Sequence, residues 1–499
     1  MGPPGARTIS QEAFDELVKE NIDDLGMDPD EALEDAIQTL TLQGVDLSGV
    51  VKCIPGESNV QDNPIIQLTN ELKSIVTSLE TSNLKELSCE DENAGKLIEL
   101  LNKLCELCSV AGSENATIAA RNGGVEALSC LCSSLDFKFE RALALALKSL
   151  SLLICDLQSS ESFRQCGGLK TVMDILHGAP KILDIRANAF SVISSASTGN
   201  EVVKESFMEL KVDALLVESV KEESNYNMPS LYDAVRVILT PDDGRVAASQ
   251  VFGYARTFAK IGMADALVDA LRKGLGSSCL TSACAALKAV AVNDEICKSI
   301  SENGGVDVIL QYIDESGLQG NRAIAKSCCS LLSKVWFLEL IICYMSLAFC
   351  HCSLFLRYHL ILMKLAGSDA NKIAIVQKGG IEKLIILSSK FSDDPSVIQE
   401  VMSIITALSL RLPENAAHAM DAGVGDLTIR SMQKFPTSHQ MQRQACLMIR
   451  NLVVRNPENR TILLNGGIEK LIRRAKGMQG CKDAATAALR DLGLDDYNV

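Results

Sequence analysis

The chain has 499 residues, of which 47% are hydrophobic and 22% charged, and its formal net charge at pH 7 is -15. This composition is typical of an ordered, core-forming chain and excludes a largely disordered one. Aromatic residues make up only 4% of the sequence, which argues against a β-sandwich or a propeller. The acidic balance disfavours a general nucleic-acid binder, and the 18 cysteines without a predicted secretory signal disfavour a disulfide scaffold.

The N-terminal part of the chain is strongly acidic. Between Thr8 and Ser48 there are 12 Asp or Glu residues against a single basic residue, Lys19. Amphipathic patterns predict two short helices there, over Ile9–Asn21 and Asp30–Leu42. We interpret this pair either as a separate acidic module or as an N-terminal cap. Its acidic surface is either an ordinary solvated face or a surface that recruits a basic partner.

A short sequence pattern recurs along the rest of the chain. It consists of Ser/Pro-Glu-Asn, an amphipathic turn or two, Gly-Gly and an aliphatic helix, and copies begin at Ser113, Ser159, Asn293, Ser368, Pro413 and Pro457. Intact neighbouring copies are 43 or 44 residues apart, as from Gly124 to Gly168. The longer interval from Gly168 to Gly305 has room for two eroded copies, which we place at Leu210–Leu216 and Ile261–Leu267. A period in the low forties without a strand signal predicts a helical solenoid.

Each copy is predicted to form three helices. An Asn or Ser near the start is expected to cap a short first helix. The glycines end that helix, because glycine tolerates the left-handed turn at a helix C-terminus. A second helix such as Ile468–Lys476 follows, and then a longer third helix such as Arg443–Val454. No single copy buries its apolar face alone, so the copies must stack.

The sequence contains no convincing catalytic or metal-binding motif. Cys105 and Cys108 form a Cys-x-x-Cys pair inside the predicted helical run Lys96–Val110, without a second pair at zinc-site spacing, so we expect both in a packed core. The histidines lie outside known catalytic motifs; they are His177, His351, His359, His418 and His439. We therefore predict no catalytic residue, no cofactor and no metal.

One stretch breaks the period. From Gly305 to Gly380 is 75 residues, and the excess lies in the apolar stretch Val335–Lys364, which holds the only Trp. Three interpretations remain open: a transmembrane helix over Val335–Phe355, a hydrophobic insertion, and an unspliced intron translated in frame. We favour the intron, because a membrane span would separate two halves of one solenoid. Thirty codons also preserve the frame, a Val codon begins with GT, and a Lys codon can end with AG.

The three-helix unit, with its Asn…Gly-Gly-Ile signature, resembles the armadillo repeat over roughly Ser113 to Leu494. The N-terminal ISQEAFDELVKENIDDLGMDPDEALEDAIQTLTLQGVDLSGVV and the C-terminal ACLMIRNLVVRNPEN and AALRDLG are similar to one branch of that family. This branch is intracellular and is not known for enzymatic activity. The resemblance therefore implies an architecture and a binding role.

The resemblance also directs attention to the third helices, which line a concave groove in this family. The peptide-binding members, typified by nuclear import adaptors, carry Trp and Asn four residues apart on successive third helices. Here Asn451 occupies such an Asn position, but Leu447 stands where Trp is expected. The corresponding pairs in other copies are Ser403 with Ala407, Leu145 with Ser149, and Phe190 with Ser194. A classical nuclear-localisation peptide is therefore not the expected ligand.

The C-terminal stretch Gln440–Lys476 carries eight Lys or Arg against two Glu. We select Arg443, Arg450 and Asn451 from it as candidate groove contacts for an acidic partner. The alternative is that they are helix caps or solvated surface residues.

Together these observations predict an all-α, right-handed armadillo-type α-solenoid of roughly eight to nine three-helix repeats with an acidic helical N-terminal extension. The expected division is an acidic segment at 1–50, a linker at 51–64, the solenoid at 65–494, interrupted at 335–364, and a tail at 495–499. We expect a non-catalytic scaffold or adaptor that binds a protein partner, without nucleic acid or small-molecule ligand. The expected location is the cytosol, and the nucleus is left open as an additional one. The rivals are a membrane-tethered adaptor that uses 335–355 and an enzyme with an unrecognised site. The partner, the process and the oligomeric state do not follow from the sequence.

Overall fold

The structure is a computed structural model that describes residues 7–56, 59–81, 92–178, 182–223, 227–241, 248–331 and 369–494. These residues fall into two compact bodies. The N-terminal body contains the described residues up to Leu216 together with Asp233–Val251. The C-terminal body contains Val217–Tyr232 and the described residues from Phe252 onward.

The chain opens with the predicted acidic helical pair. Helix α1 spans Gln11–Asp23 and helix α2 spans Pro29–Leu42, close to the predicted bounds. Two short strands, β1 (Arg7–Thr8) and β2 (Val45–Asp46), pair in parallel beside them, which the sequence did not indicate. The pair has its own small core, formed by Phe14, Val18, Ala32, Ala36, Leu40, Leu47 and Val50. Burial of these apolar side chains accounts for the fold of so acidic a segment.

The residues that follow this pair are fastened to it and to the next helices. The Gln11 side chain exchanges two hydrogen bonds with the backbone of Val51, at 2.7 and 2.9 Å. Lys52 forms an ion pair with Glu114 at 2.7 Å, and a single 3-10 turn covers Val60–Asp62. The acidic pair is therefore held against the helices of the N-terminal body.

From residue 64 onward, the described helices form groups of three. The first group has only a second and a third helix, α3 (Pro64–Thr81) and α4 (Glu92–Cys108). The next three groups are α5 (Asn115–Arg121), α6 (Gly124–Ser134) and α7 (Glu140–Leu153); α8 (Leu157–Gln165), α9 (Gly168–Gly178) and α10 (Leu183–Ser197); and α11 (Glu201–Glu209), α12 (Val212–Glu223) and α13 (Pro229–Leu239).

Five further groups follow, which makes nine among the described residues. They are α14 (Ala248–Lys260), α15 (Met263–Lys273) and α16 (Ser277–Val290); α17 (Asp294–Glu302), α18 (Gly305–Gln319) and α19 (322–331); α20 (Asp369–Gln377), α21 (Gly380–Lys390) and α22 (Pro395–Ser409); α23 (Pro413–Asp421), α24 (Val424–Lys434) and α25 (His439–Val453); and α26 (Pro457–Asn465), α27 (Ile468–Lys476) and α28 (Lys482–Asp491). Within the C-terminal body, α22, α25 and α28 pack in succession.

A left-handed residue between the first and second helix sets the register. In most groups it is a glycine; these are Gly123, Gly167, Gly262, Gly304, Gly379, Gly423 and Gly467. The eroded copy at Leu210–Leu216 has Lys211 in this position, with φ 64°. Lys211 lies 44 residues after Gly167, and Gly167 lies 44 residues after Gly123. The second eroded copy has Gly262, which lies 51 residues after Lys211 and 42 before Gly304. Both eroded copies therefore lie at the residues predicted for them, but only the first keeps the regular interval.

The predicted role of the recurring asparagine is only partly correct. Asn200 and Asn293 do cap their own first helices. The asparagine of the Ser/Pro-Glu-Asn copies instead lies inside the first helix and donates from Nδ2 to a carbonyl near the end of the preceding third helix. Asn115 reaches Leu107, Asn415 reaches Leu408 and Asn459 reaches Leu452, at 3.0, 2.9 and 2.8 Å. The last carbonyls of a helix lack partners within it, and these amides supply one.

The residue that follows this asparagine position in the first helix binds a carbonyl at the C-terminal end of its own group. Lys204 and Lys372 are almost fully buried, and each donates from Nζ to a carbonyl that ends its own group, that of Thr240 at 2.6 Å and Leu410 at 3.3 Å. Each ammonium also has an acidic partner one turn earlier in its helix. A buried lysine needs both kinds of partner to offset its desolvation.

The predicted interruption, Val335–Lys364, lies outside the described residues. On either side of it, α18 packs directly against α21 within the C-terminal body. Asp307 and Lys378 join these groups by an ion pair of 2.6 Å, and Asp314 and Lys383 form another. The groups that flank the interruption are therefore stacked neighbours. No helix among the described residues is both long and apolar enough to cross a membrane.

Candidate partner-binding face of the C-terminal body

The third helices of the C-terminal body carry a surplus of positive charge. Counted over α16, α19, α22, α25 and α28, they have seven Lys or Arg and three Asp or Glu, whereas the whole chain has a net charge of -15. We call the partly exposed side of these helices the third-helix face. A positive face on an acidic protein favours the approach of a negatively charged partner.

Several polar side chains bridge neighbouring helices on this face. The Asn451 amide donates to the backbone carbonyl of Thr406 at 2.8 Å, and the Gln444 amide donates to the Thr406 hydroxyl at 3.0 Å. Lys288 donates to the hydroxyl of Ser330 on the next third helix. Asn451 therefore spends at least one of its two amide protons on the preceding helix, so its predicted role as a groove contact is weakened.

Arg450 has a structural partner. Its Nε donates to Asp491 on α28 at 3.0 Å, and the Asp491 side chain is only 9% exposed. Arg490 pairs with the same carboxylate at 2.9 Å. The charge of Arg450 is therefore largely compensated within the fold. Reversal of this charge would place two carboxylates together in a partly buried position, which destabilises the helix pair whatever the partner.

Arg443 differs from Arg450 in this respect. It lies on α25, two turns before Arg450, and is half-buried. Within the described part of the chain it has no carboxylate at ion-pair distance. It does lie close enough to the buried thiol of Cys481 to oppose the rise that burial causes in the pKa of that thiol. Of the three residues selected from the sequence, Arg443 is the one whose charge the fold leaves available.

Two further charged residues on this face were not singled out from the sequence. Lys326 on α19 and Glu400 on α22 are both half-buried. Burial raises the pKa of Glu400, and the positive charges of Lys288 and Lys326 oppose that shift. Among the described residues, neither Lys326 nor Glu400 forms a direct ion pair. Both residues lie in the second turn of a third helix. Sequence reasoning could have found them by this shared position, but only with the exact start of each third helix in hand.

The described residues offer no arrangement suited to catalysis. Burial raises the pKa of Cys108 to about 12 and also raises that of Cys105, whose thiol lies 3.1 Å from the Ser149 hydroxyl, so both are unreactive core thiols as predicted. His177 contacts the carbonyl of Met173 at 2.7 Å, and His418 contacts Glu382 at 2.7 Å. No group of His, Cys, Asp and Glu in the described ranges could hold a metal ion.

A cavity in the N-terminal body is also unlike an active site. It measures about 320 Å³ and lies where the acidic pair meets the first groups, with a lining that includes Ser10, Gln11, Asp46, Arg121 and Asn122. Arg121, its main charge, is already paired with Asp156 at 2.5 Å. The third-helix face remains the better candidate for a functional site.

The sequence comparisons point to one group of similar proteins. Residues 6–67 match the family model described as the armadillo repeat-containing protein 6 N-terminal domain. Armadillo repeat-containing protein 6 of Homo sapiens is 25% identical over 429 residues, which cover 82% of this chain and 75% of that protein. The Drosophila melanogaster homolog is 23% identical over 425 residues, with 84% and 80% covered.

Solved structures agree on the fold. A structure described by the phrase "a conserved phosphorylation switch controls the interaction between cadherin and beta-catenin in vitro and in vivo" has a TM-score of 0.54 and 15% identity, over 87% of this chain and 79% of its own. A crystal structure of an engineered protein has a TM-score of 0.51 and 17% identity, over 85% and 99%.

The grouped helices and these likenesses define an all-α solenoid of the armadillo type, as predicted from the repeat. Proteins of this class are in general non-catalytic binding scaffolds. Within the class, the chain is similar in these comparisons to proteins named armadillo repeat-containing protein 6, in line with the resemblance of its N-terminal and C-terminal stretches.

Proposed function

We propose that the chain is a non-catalytic scaffold that binds a protein partner through the third-helix face of its C-terminal body. The observation that carries this proposal is the packing of the third helices α22, α25 and α28 in succession, together with the positive charge surplus of the third helices on an acidic protein. Stacked repeats of this kind present extended surfaces to their ligands. All 14 cysteines among the described residues are free thiols, and ten of them are buried, which further supports a reducing compartment such as the cytosol.

Site-specific photocrosslinking tests the proposal in cells. A photoreactive phenylalanine analogue placed at Ser403, which is half-buried on α22, should capture a defined partner. The same analogue at Ile386, an exposed residue on the second helix α21, is the matched control and should capture less of that partner. Equal capture at the two positions, or no specific product at Ser403, would count against binding on this face.

A further inference from the structure

Three charges form a row across consecutive third helices of the C-terminal body. Lys326 is the fifth residue of α19, Glu400 the sixth of α22 and Arg443 the fifth of α25, so all three lie in the second turn of their helices. The order along the row is positive, negative, positive. None of the three forms a direct ion pair among the described residues. Lys326 still attracts the nearby carboxylates of Glu400 and Asp394, so a ligand carboxylate that approaches Lys326 competes with them. Arg443 has no such carboxylate beside it in the described part of the chain.

The spacing of the row translates into a spacing along a ligand. Arg322 at the start of α19 pairs with Asp393 and Asp394 at the start of α22, and α22 packs on α25, so the three helices are neighbours. Neighbouring helices lie about 8–10 Å apart, so Lys326 and Arg443, two helices apart, are separated by about 16–20 Å. An extended peptide advances about 3.3 Å per residue. Side chains about six residues apart on an extended segment therefore reach both positions at once.

We propose that the third-helix face binds an extended segment of a partner protein that carries two acidic side chains about six residues apart, one directed to Lys326 and the other to Arg443. This inference rests on the proposed function and adds the chemistry of the partner. Glu400 stands between the two positive charges and repels a third acid there. The face thus favours a spaced acidic pair over a continuous acidic run.

The same face is poorly suited to nucleic acid. Its five helices contain no Phe, Tyr or Trp among the described residues, so no ring is available to stack on a base. The carboxylates of Glu400 and Asp483 lie among its cations and would repel a regular line of phosphates. An acidic peptide with gaps in its charge fits this arrangement better.

Fluorescence anisotropy with the full chain and labelled peptides tests the proposal. Three peptides of identical composition are compared, with two Glu residues six apart, three apart and adjacent. The six-residue spacing should bind at least about fivefold more tightly than either of the others, since only it reaches both cations. Added salt should weaken its binding, because the contacts are ionic.

Charge reversal at the two cations provides the residue-level test. Lys326→Glu combined with Arg443→Glu should weaken the six-spaced peptide at least about tenfold. Lys390→Glu combined with Lys470→Glu changes the net charge equally on exposed positions of second helices and should leave affinity within about twofold. Glu400→Gln should strengthen a peptide with a third Glu midway between the pair. Circular dichroism of each variant checks that its helices are intact.

Absent binding of all three peptides, equal affinity for the three spacings, or equal loss in the control variant would overturn the proposal. Stronger competition by a single-stranded oligonucleotide than by the six-spaced peptide would overturn it as well. The two proposals can be told apart. A partner that crosslinks at Ser403 through a segment without acidic residues would support the scaffold role and contradict only the acidic ligand.

Discussion

Lys211 adopts a left-handed backbone conformation at a position that glycine fills in most other groups. A residue with a Cβ atom pays about 1–2 kcal/mol in this conformation, and glycine avoids most of it at some cost in chain entropy. Lys211→Gly should therefore raise the free energy of unfolding by about 1 kcal/mol. Lys211→Ala removes the same charge but keeps the Cβ atom, and it should bring no comparable gain. Thermal denaturation of the three proteins distinguishes the strained backbone from the lost charge.

For individual residues, the sequence predicted backbone conformation better than it predicted which side chains pair. The position of Lys211 followed from the 44-residue period alone, although no glycine marks it. The partner of Arg450 did not, because Asp491 lies 41 residues away and meets it only when α25 and α28 are packed. The role of Asn459 was missed for the same reason: its amide points back to the previous group rather than to its own helix start.

At the scale of helices, Glu400 links stability to pH. Burial raises the pKa of its carboxyl group in the folded state, so the folded protein holds this proton more tightly than the unfolded chain does. The ionised carboxylate therefore costs stability at neutral pH, and this cost disappears as the pH falls below the unfolded pKa of about 4.3.

Glu400→Gln should accordingly raise the melting temperature at about pH 7 and have little effect below about pH 4. Glu218→Gln, an exposed position in the middle of α12, is the matched control and should be neutral at both pH values. A gain at Glu400 that persists at low pH would show that packing controls this position instead. A lower melting temperature at about pH 7 would show that the favourable charges of Lys288 and Lys326 outweigh burial.

For the whole molecule, the main question is the interruption at Val335–Lys364. Asn371 occupies the position that Asn415 and Asn459 hold in later groups, eight residues before the left-handed glycine. It is buried, with 8% of its surface exposed, yet its Nδ2 has no hydrogen-bond partner among the described residues. Its counterparts donate to a carbonyl seven residues earlier. Without 335–364, the residue seven positions before Asn371 is Lys334, three residues after the last described residue of α19, Leu331.

We therefore expect the variant that lacks Val335–Lys364 to be more soluble and more heat-stable than the full chain. Asn371→Ala should cost about 1–2 kcal/mol in this variant, where the amide has a carbonyl to bind, and much less in the full chain. Asn459→Ala, which removes an equivalent bond far from the interruption, should cost the same in both backgrounds. Transcript sequencing should also show the 90 nucleotides removed from most messages.

A lower melting temperature for the deletion variant, together with transcripts that retain the segment, would identify it as a native element of the protein. The architecture was predictable at this scale because the period, the glycines and the small residues repeat through most of the chain. The ligand was not, because the chemistry of the third-helix face arises from residues on five helices that are distant in sequence.

The asparagine bonds have a practical consequence for shortening this protein. They join the first helix of one group to the third helix of the group before it. A truncation at the start of a sequence repeat therefore breaks one of these bonds. A fragment that ends at Val454 would leave the Leu452 carbonyl without its amide donor, whereas one that ends at Asn465 retains Asn459. Shortened arrays intended for crystallisation or display should therefore carry one extra first helix at their C-terminal end.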